Sequence, residues 1–150
     1  MKKKVVIGSD HAGFAVKERI KKELGKKYDF VDVGTDSEAS VDYPVYGEKV
    51  AQQVAVSPNT QGIVICGSGI GMSIAANKVP GIRAALCYSK TAAELSRLHN
   101  DANVLAIAGR EKMMDDPVEI ADKFLSTDFS RDERHVRRVK GIMAIEKNNV

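Results

Sequence analysis

Cysteine is scarce. Two thiols, Cys66 and Cys87, in 150 residues build neither a disulfide framework nor a zinc cluster. The expectation is a cytoplasmic protein with reduced thiols and no covalent staples. Long hydrophobic runs are also lacking. After the basic start Met1-Lys2-Lys3-Lys4, the run Val5-Val6-Ile7 stops at Gly8, too short for a signal peptide or a membrane span. An excess of one charge is missing as well. Lys and Arg number 23 and Asp and Glu 20, a net charge of +3, which argues for neither nucleic acid nor a membrane surface. It does suit an anionic small ligand if the positive charge is concentrated. No repeat, low-complexity tract or linker divides residues 1–150, and the length fits one domain. What is present is globular: 43% hydrophobic and 29% charged residues.

Short apolar runs alternate with helical spacing. Residues 4–9 read as a first strand, and Val16, Ile20 and Leu24 recur every fourth residue along one helix face. Residues 30–33 form a second strand stopped by Gly34. A polar loop over 36–43 follows, and Pro44 suits the first turn of a helix reaching about Val56. Residues 62–66 are the most apolar strand, followed by a glycine-rich turn and a helix over 72–78. Residues 82–87 read as a fourth strand, and 91–99 as a helix with Leu95 and Leu98 inward. Residues 104–108 make a fifth strand closed by Gly109. Val118, Ala121 and Leu125, then Val136, Val139 and Met143, line the last two helices. This alternation predicts an α/β fold with a parallel sheet covered on both faces. Ligands bind such sheets at the carboxyl ends of the strands, which selects the loops starting at Ser9, Gly34, Cys66, Tyr88 and Gly109.

Chemistry-bearing residues cluster in several of those loops. Asp10 and His11 follow the first strand; Asp10 can cap a helix or, with His11, meet ligand hydroxyls. In Cys66-Gly67-Ser68-Gly69-Ile70-Gly71, alternating glycines let backbone N–H groups converge on an anion at a helix N-terminus. The run lacks the last gap of the dinucleotide fingerprint and the lysine of a P-loop. A nest for an oxyanion or small phosphate is therefore preferred, with a tight packing turn as the plain alternative. Cys66 ends its strand beside that helix start, a setting that favours thiolate, whereas Cys87 reads as inert packing. His99 closes an amphipathic helix and precedes Asn100. It either matches the helix dipole or titrates in catalysis. Cys66 and His99 could make a hydrolase pair, but the signatures of such enzymes are absent around the cysteine. Arg134 and Arg138 lie one helical turn apart, away from the Val136 face, and can grip one phosphate. Arg131 and Arg137 make the segment more basic. A solvated basic face and a DNA-reading helix are the alternatives; the mild net charge and the absence of a helix-turn-helix pattern weaken the second.

In these residues the sequence resembles the ribose/galactose phosphate isomerase family, in its type B ribose-5-phosphate isomerase branch. The matching stretches are residues 8–14, 41–44, 66–78, 81–85, 95–105 and 134–139, and they cover nearly the whole chain in order. The resemblance implies a Rossmann-like, three-layer α/β/α sandwich of about five parallel strands. It implies interconversion of ribose 5-phosphate and ribulose 5-phosphate in the non-oxidative pentose phosphate pathway, through an enediolate, with no metal or organic cofactor. It also implies a homodimer or tetramer with active sites shared between subunits. By position, Cys66 is the implied base, and His99 the implied ring-opening group. Gly67, Ser68, Gly69, Ile70 and Gly71 would hold the enediolate oxygens, with Ser68 assisting. Asp10, His11, Tyr43 and Asn100 would hold sugar hydroxyls, and Arg134, Arg138 and Arg110 the phosphate. Some relatives place a glutamate base after the last glycine of the loop. Here that position is Met72, which favours Cys66. The competing readings are an isomerase of galactose 6-phosphate or allose 6-phosphate, a non-catalytic phospho-sugar-binding regulator, and a cysteine hydrolase.

Overall fold

The computed structural model describes residues 1–149. Continuous apolar runs become strands, and 3.6-residue repeats become helices. In chain order they are β1 (Lys3–Ser9), a 3-10 turn (His11–Gly13) leading into α1 (Phe14–Leu24), β2 (Tyr28–Asp32), α2 (Tyr43–Ala55) and β3 (Gln61–Cys66). Then come α3 (Ile70–Asn77), β4 (Ala84–Leu86), α4 (Lys90–Asn100), β5 (Val104–Ala108), α5 (Pro117–Ser126) and α6 (Glu133–Asn148). The five strands pair in parallel in the order β2-β1-β3-β5-β4.

Alternate side chains of the inner strands pack on opposite faces, as the two-residue period of a strand requires. Val5, Ile7, Ile63, Ile65, Leu105 and Ile107 meet α1, α4 and α5. Val6, Val64, Cys66, Val104 and Ala106 meet α2 and α3. The result is the expected three-layer Rossmann-like sandwich. No helix among the described residues is long and apolar enough to cross a membrane. The chain leaves β1 onto one face through α1 and β3 onto the other through α3, so a crevice opens between their carboxyl ends.

The most deeply buried charged group among the described residues helps to set this frame. Lys17 is 1% exposed. Its Nζ donates to Asp32 Oδ2 at 2.7 Å and to the Thr35 carbonyl at 2.6 Å. This ties the end of β2 to α1 and fixes where the chain starts towards α2. Asp32 also accepts from Lys21 at 2.7 Å and from the Gly34 N–H at 2.9 Å.

Several boundaries differ from the sequence reading. β2 starts two residues earlier, at Tyr28, whose buried side chain lies in the core and whose hydroxyl reaches Asp122 at 2.9 Å. α3 starts at Ile70, because Ser68 Oγ accepts the Ile70 N–H at 3.2 Å and opens the first turn. β4 is only three residues long. It has a strand partner on one side alone, and side-chain amides replace ladder bonds around it. Asn103 Oδ1 accepts from the Arg83 N–H at 2.7 Å, and Asn77 both donates to the Ala84 carbonyl and accepts from the Ala84 N–H, at 3.0 and 2.8 Å. Leu95 points outward, at 42% exposed, contrary to expectation. The inward face of α4 is Ala93, Ser96 and Arg97, because the Arg97 guanidinium turns in to bond the carbonyls of Thr127 and Ala102.

Burial alone would raise the Asp32 pKa, but hydrogen bonds from Lys17, Lys21 and the Gly34 N–H outweigh it and hold the carboxyl below its ordinary value. A depressed carboxylate stabilises the fold fully above its unfolded pKa, and that contribution is lost as pH falls through the folded value. Asp32→Asn is expected to cost about 3 kcal/mol at pH 7, at the low end for breaking a buried pair because Asp32 is partly exposed. The gap between wild type and variant in urea unfolding should narrow between pH 5 and pH 3. An equal gap at both ends would show that the pair does not act through charge.

Candidate functional site

Three loops meet at the carboxyl edge of the sheet because glycine lets their backbones touch. A Cβ at Gly13 would lie 2.6 Å from the Ile65 carbonyl oxygen, and one at Gly109 would lie 2.5 Å from the Ala12 oxygen. The loops after β1, β3 and β5 are thereby pressed into one surface. Asp10 caps the first turn by accepting the Gly13 N–H at 3.1 Å, and its own N–H donates to the Ile65 carbonyl at 3.2 Å. The capping role is real, and it also holds the buried Asp10 beside the end of β3. His11 Nδ1 accepts the Val41 N–H at 3.1 Å. That bond tethers the polar loop and leaves Nε2 for a ligand. The same loop delivers Tyr43, the first residue of α2, against the glycine run; a Cβ at Gly71 would lie 2.5 Å from the Tyr43 ring.

The run 66–71 is held so that its N–H groups share a direction. The Cys66 carbonyl accepts from Gly109 N–H at 2.8 Å, and the Gly67 carbonyl from the N–H groups of Arg110 and Glu111 at 3.0 and 3.1 Å. The Ser68 carbonyl accepts from the Tyr88 hydroxyl. In a trans peptide the C=O and the next N–H point opposite ways. The N–H groups of Gly67, Ser68 and Gly69 therefore point away from these anchors, and none has a protein acceptor among the described residues. This is a nest for an anionic oxygen. The Ile70 N–H is not part of it, because Ser68 Oγ takes it. Gly69 needs to be glycine: its φ is +79°, and a Cβ there would lie 2.8 Å from the Ile107 carbonyl. Packing does not demand glycine at Gly67, where the nearest neighbour of a Cβ would be 3.8 Å away.

Cys66 stands at the base of this nest, 5% exposed. Met72 is fully buried beneath it, with its sulfur against Gly47, so the position that carries a carboxylate in some relatives is core here. Cys87 is buried, and burial pushes its thiol up to about 11 although a hydrogen bond with Ser96 pulls the other way. Its expected role as packing fits this setting.

The remaining expected residues lie at the opposite edge. α4 runs back along the sheet, so His99 and Asn100 end near the start of β5. The Asn100 carbonyl accepts from Arg83 Nε at 3.1 Å, and the Asn103 carbonyl from the Gly62 N–H at 2.9 Å. From Gly62 to Cys66 the strand rises about 13 Å, so the height of the sheet separates His99 from Cys66 within one chain. The His99 ring packs on the His135 ring, with centroids 4.4 Å apart, and Ser130 Oγ lies 2.7 Å from His135 Nδ1. Arg134 and Arg138 flank His135 on α6 and are exposed. Arg83 and Arg97 are spent on Asp101, whereas Arg134, Arg138 and Arg110 have no acidic partner within 4 Å among the described residues. The resulting field is felt locally. Burial first, then the positive charge of His99, Arg134 and Arg138, holds His135 below the ordinary imidazole value, opposed by Asp132.

The residues expected from the sequence thus fall into two clusters in the fold. Asp10, His11, Tyr43, Cys66 to Gly71 and Arg110 gather at the carboxyl edge, and His99, Asn100, Arg134 and Arg138 at the amino edge. Hollows of about 330 and 590 Å³ lie on the flank between α3, β4 and α6, not at Cys66. Two residues went unread. Tyr88 was marked only as the start of a loop, and His135 only as a member of the basic helix.

Residues 5–142 match the family model described as Ribose/Galactose Isomerase. The chain is 43% identical to ribose-5-phosphate isomerase B of Escherichia coli, over 97% of each chain. A solved mutant of the type B ribose 5-phosphate isomerase from Trypanosoma cruzi superposes with a TM-score of 0.93 at 46% identity over the whole of both chains. The ribose-5-phosphate isomerase B of Mycoplasma genitalium, solved with bound ribulose-5-phosphate, superposes with a TM-score of 0.89 at 39% identity, over 96% of each chain.

With a pKa near 11, Cys87 is ionised in only about one molecule in a thousand at pH 8. Iodoacetamide should therefore modify Cys66 first, and Cys66→Ser protein should label at most slowly until it unfolds. Peptide mass spectrometry over time measures this order. Faster labelling of Cys87 would overturn the assignment of the two thiols.

Proposed function

The chain belongs to the ribose/galactose isomerase family, and on that premise we infer that it interconverts ribose 5-phosphate and ribulose 5-phosphate. The observation that carries the reading is a strand-end thiol beside a nest of three N–H groups. Aldose–ketose isomerisation takes a proton from the carbon next to the carbonyl and returns it to the neighbouring carbon. Between the two transfers the negative charge sits on enediolate oxygens, which preorganised N–H groups stabilise where they point. Cys66 is the base that moves the carbon-bound proton. The N–H groups of Gly67, Ser68 and Gly69 receive the oxyanion. Asp10, His11 through Nε2, Tyr43 and Asn100 hold hydroxyls along the sugar. The unpaired Arg134 and Arg138, with Arg110, take the phosphate, where two guanidinium forks one turn apart suit its oxygens. His99 exchanges the proton that opens and closes the sugar ring, since an imidazole can both donate and accept one. Phosphate binding far from the reacting carbons supplies orientation there.

This division of labour requires two chains. The amino-edge cluster of one chain completes the carboxyl-edge cluster of another, in a homodimer with two shared sites. The exposed side chains Ile70 and Ile74 on α3, Leu86 on β4, Leu95 on α4 and Ile142 and Ile145 on α6 support it, because a lone soluble chain rarely leaves so much apolar surface in one region. The same flank holds the hollows beside β4 and α6.

Incubation with ribose 5-phosphate should yield ribulose 5-phosphate, and Cys66→Ser should fold and bind substrate but lose about a hundredfold or more in kcat. Near-normal kcat in that variant would remove Cys66 as the base and direct attention to Asp10.

For the shared site, Cys66→Ala and His99→Ala chains should each be inactive, and mixing them under subunit exchange should restore up to about a quarter of the wild-type sites. Verified mixed dimers with no recovered activity would place both residues in one chain.

A further inference from the structure

Three carbonyls anchor the nest, and they are not anchored alike. Those of Cys66 and Gly67 accept from backbone N–H groups of Gly109, Arg110 and Glu111. That of Ser68 accepts from a side chain, the Tyr88 hydroxyl. The peptide unit joining Ser68 to Gly69 lacks a Cβ on its second residue, which sits at φ +79°, so no side chain of that residue restrains its plane. If that plane turned, the Gly69 N–H would leave the nest and a carbonyl oxygen would enter it, a repulsive partner for an oxyanion.

We propose that Tyr88 is a positioning residue for the isomerisation: its hydroxyl pins the Ser68 carbonyl and so keeps the Gly69 N–H aimed at the enediolate oxygen. This rests on the reading of the loop as an enediolate site. Tyr88 is itself firmly placed. Its carbonyl accepts the Met114 N–H at 2.9 Å, and the next residue, Ser89, caps α4 by accepting the Ala92 N–H at 3.0 Å. The hydroxyl is also kept protonated, as a donor must be. Burial, then the negative charges of Glu111 and Cys66, raises its pKa above the ordinary tyrosine value. The groups facing Tyr88 thus come from the loop after β5 and from the nest itself. Tyr88 acts only through the peptide it holds, so its effect belongs to the transition state, where charge on the oxygen is greatest, and not to the ground-state sugar.

The test is Tyr88→Phe, which removes one hydroxyl and keeps the ring. Wild type and variant are compared for kcat and KM with ribose 5-phosphate, for affinity towards a phosphorylated hydroxamate that mimics the enediolate, for affinity towards inorganic phosphate, and for Tm. The expected result is a kcat lower by about tenfold, part of what loss of an oxyanion donor costs. KM should stay within about twofold, and hydroxamate affinity should fall in parallel with kcat. Phosphate affinity should be unchanged and Tm lower by no more than a few degrees. An unchanged kcat, or a fall in kcat without a fall in hydroxamate affinity, overturns the proposal. If the Phe variant does not fold, Tyr88→His, which keeps a ring N–H donor, is compared with Tyr88→Leu. A higher kcat in the His variant supports pinning, and equal rates overturn it. Wild-type protein that does not isomerise ribose 5-phosphate would overturn the reading of the loop itself; an active wild type with an unaffected Tyr88→Phe would overturn the role of Tyr88 alone.

Discussion

A parallel sheet sends every strand out at one edge and receives every helix back at the other. Nearly everything about this site follows from that constraint. The glycine run, Asp10, Tyr43 and Arg110 follow strands or begin helices that return over the sheet, so they gather at the carboxyl edge. His99 and Asn100 end a returning helix and sit at the amino edge, beside the basic turn of α6. No adjustment of loops moves one set to the other across a sheet this tall. The proposed sharing of work between a carbon-proton base and a ring-opening group on two molecules rests on this separation. Exposed apolar side chains lie on β4 itself and on α3, α4 and α6.

Within the carboxyl edge, precision comes from backbone contacts more than from side chains. Gly13 and Gly109 allow main chain to rest on main chain, a contact that has no rotamers to lose. Lys17 does the same work at longer range. Its buried ammonium joins Asp32 to the Thr35 carbonyl, and His11 then fastens Val41. From β2 to Tyr43 the chain is thus gripped at two points, which holds in place a loop that has no strand or helix of its own.

Much of the architecture was legible because the inner strands are buried on both faces and so read as unbroken apolar runs. β1, β3 and β5 came out within one residue of their observed limits. β4 did not. An edge strand has one ladder, and Asn77 and Asn103 supply bonds that a strand pattern cannot announce. The phase of α4 was misjudged at Leu95 because a leucine ordinarily faces the core and an arginine ordinarily does not. Arg97 reverses both by spending its guanidinium on buried carbonyls. The candidate residues were readable from residue type and resemblance, but their separation into two edges was not, since it depends on the direction in which α4 returns. Tyr88 was unreadable for a related reason. Its partner is a carbonyl twenty residues away, and a backbone oxygen leaves no mark in a sequence.

Asn77 has a consequence for what this protein can become in a crowded solution. The outward-facing N–H and C=O of Ala84 would be the first rungs offered to any passing strand. The Asn77 carboxamide, itself a peptide group on a stalk, already occupies both. In a three-residue strand this leaves little for an intruder to zip onto. Hydrogen-bonded edges have no reason to stop at two copies, and this edge is already closed. A single amide thus removes the foothold that endless stacking would need.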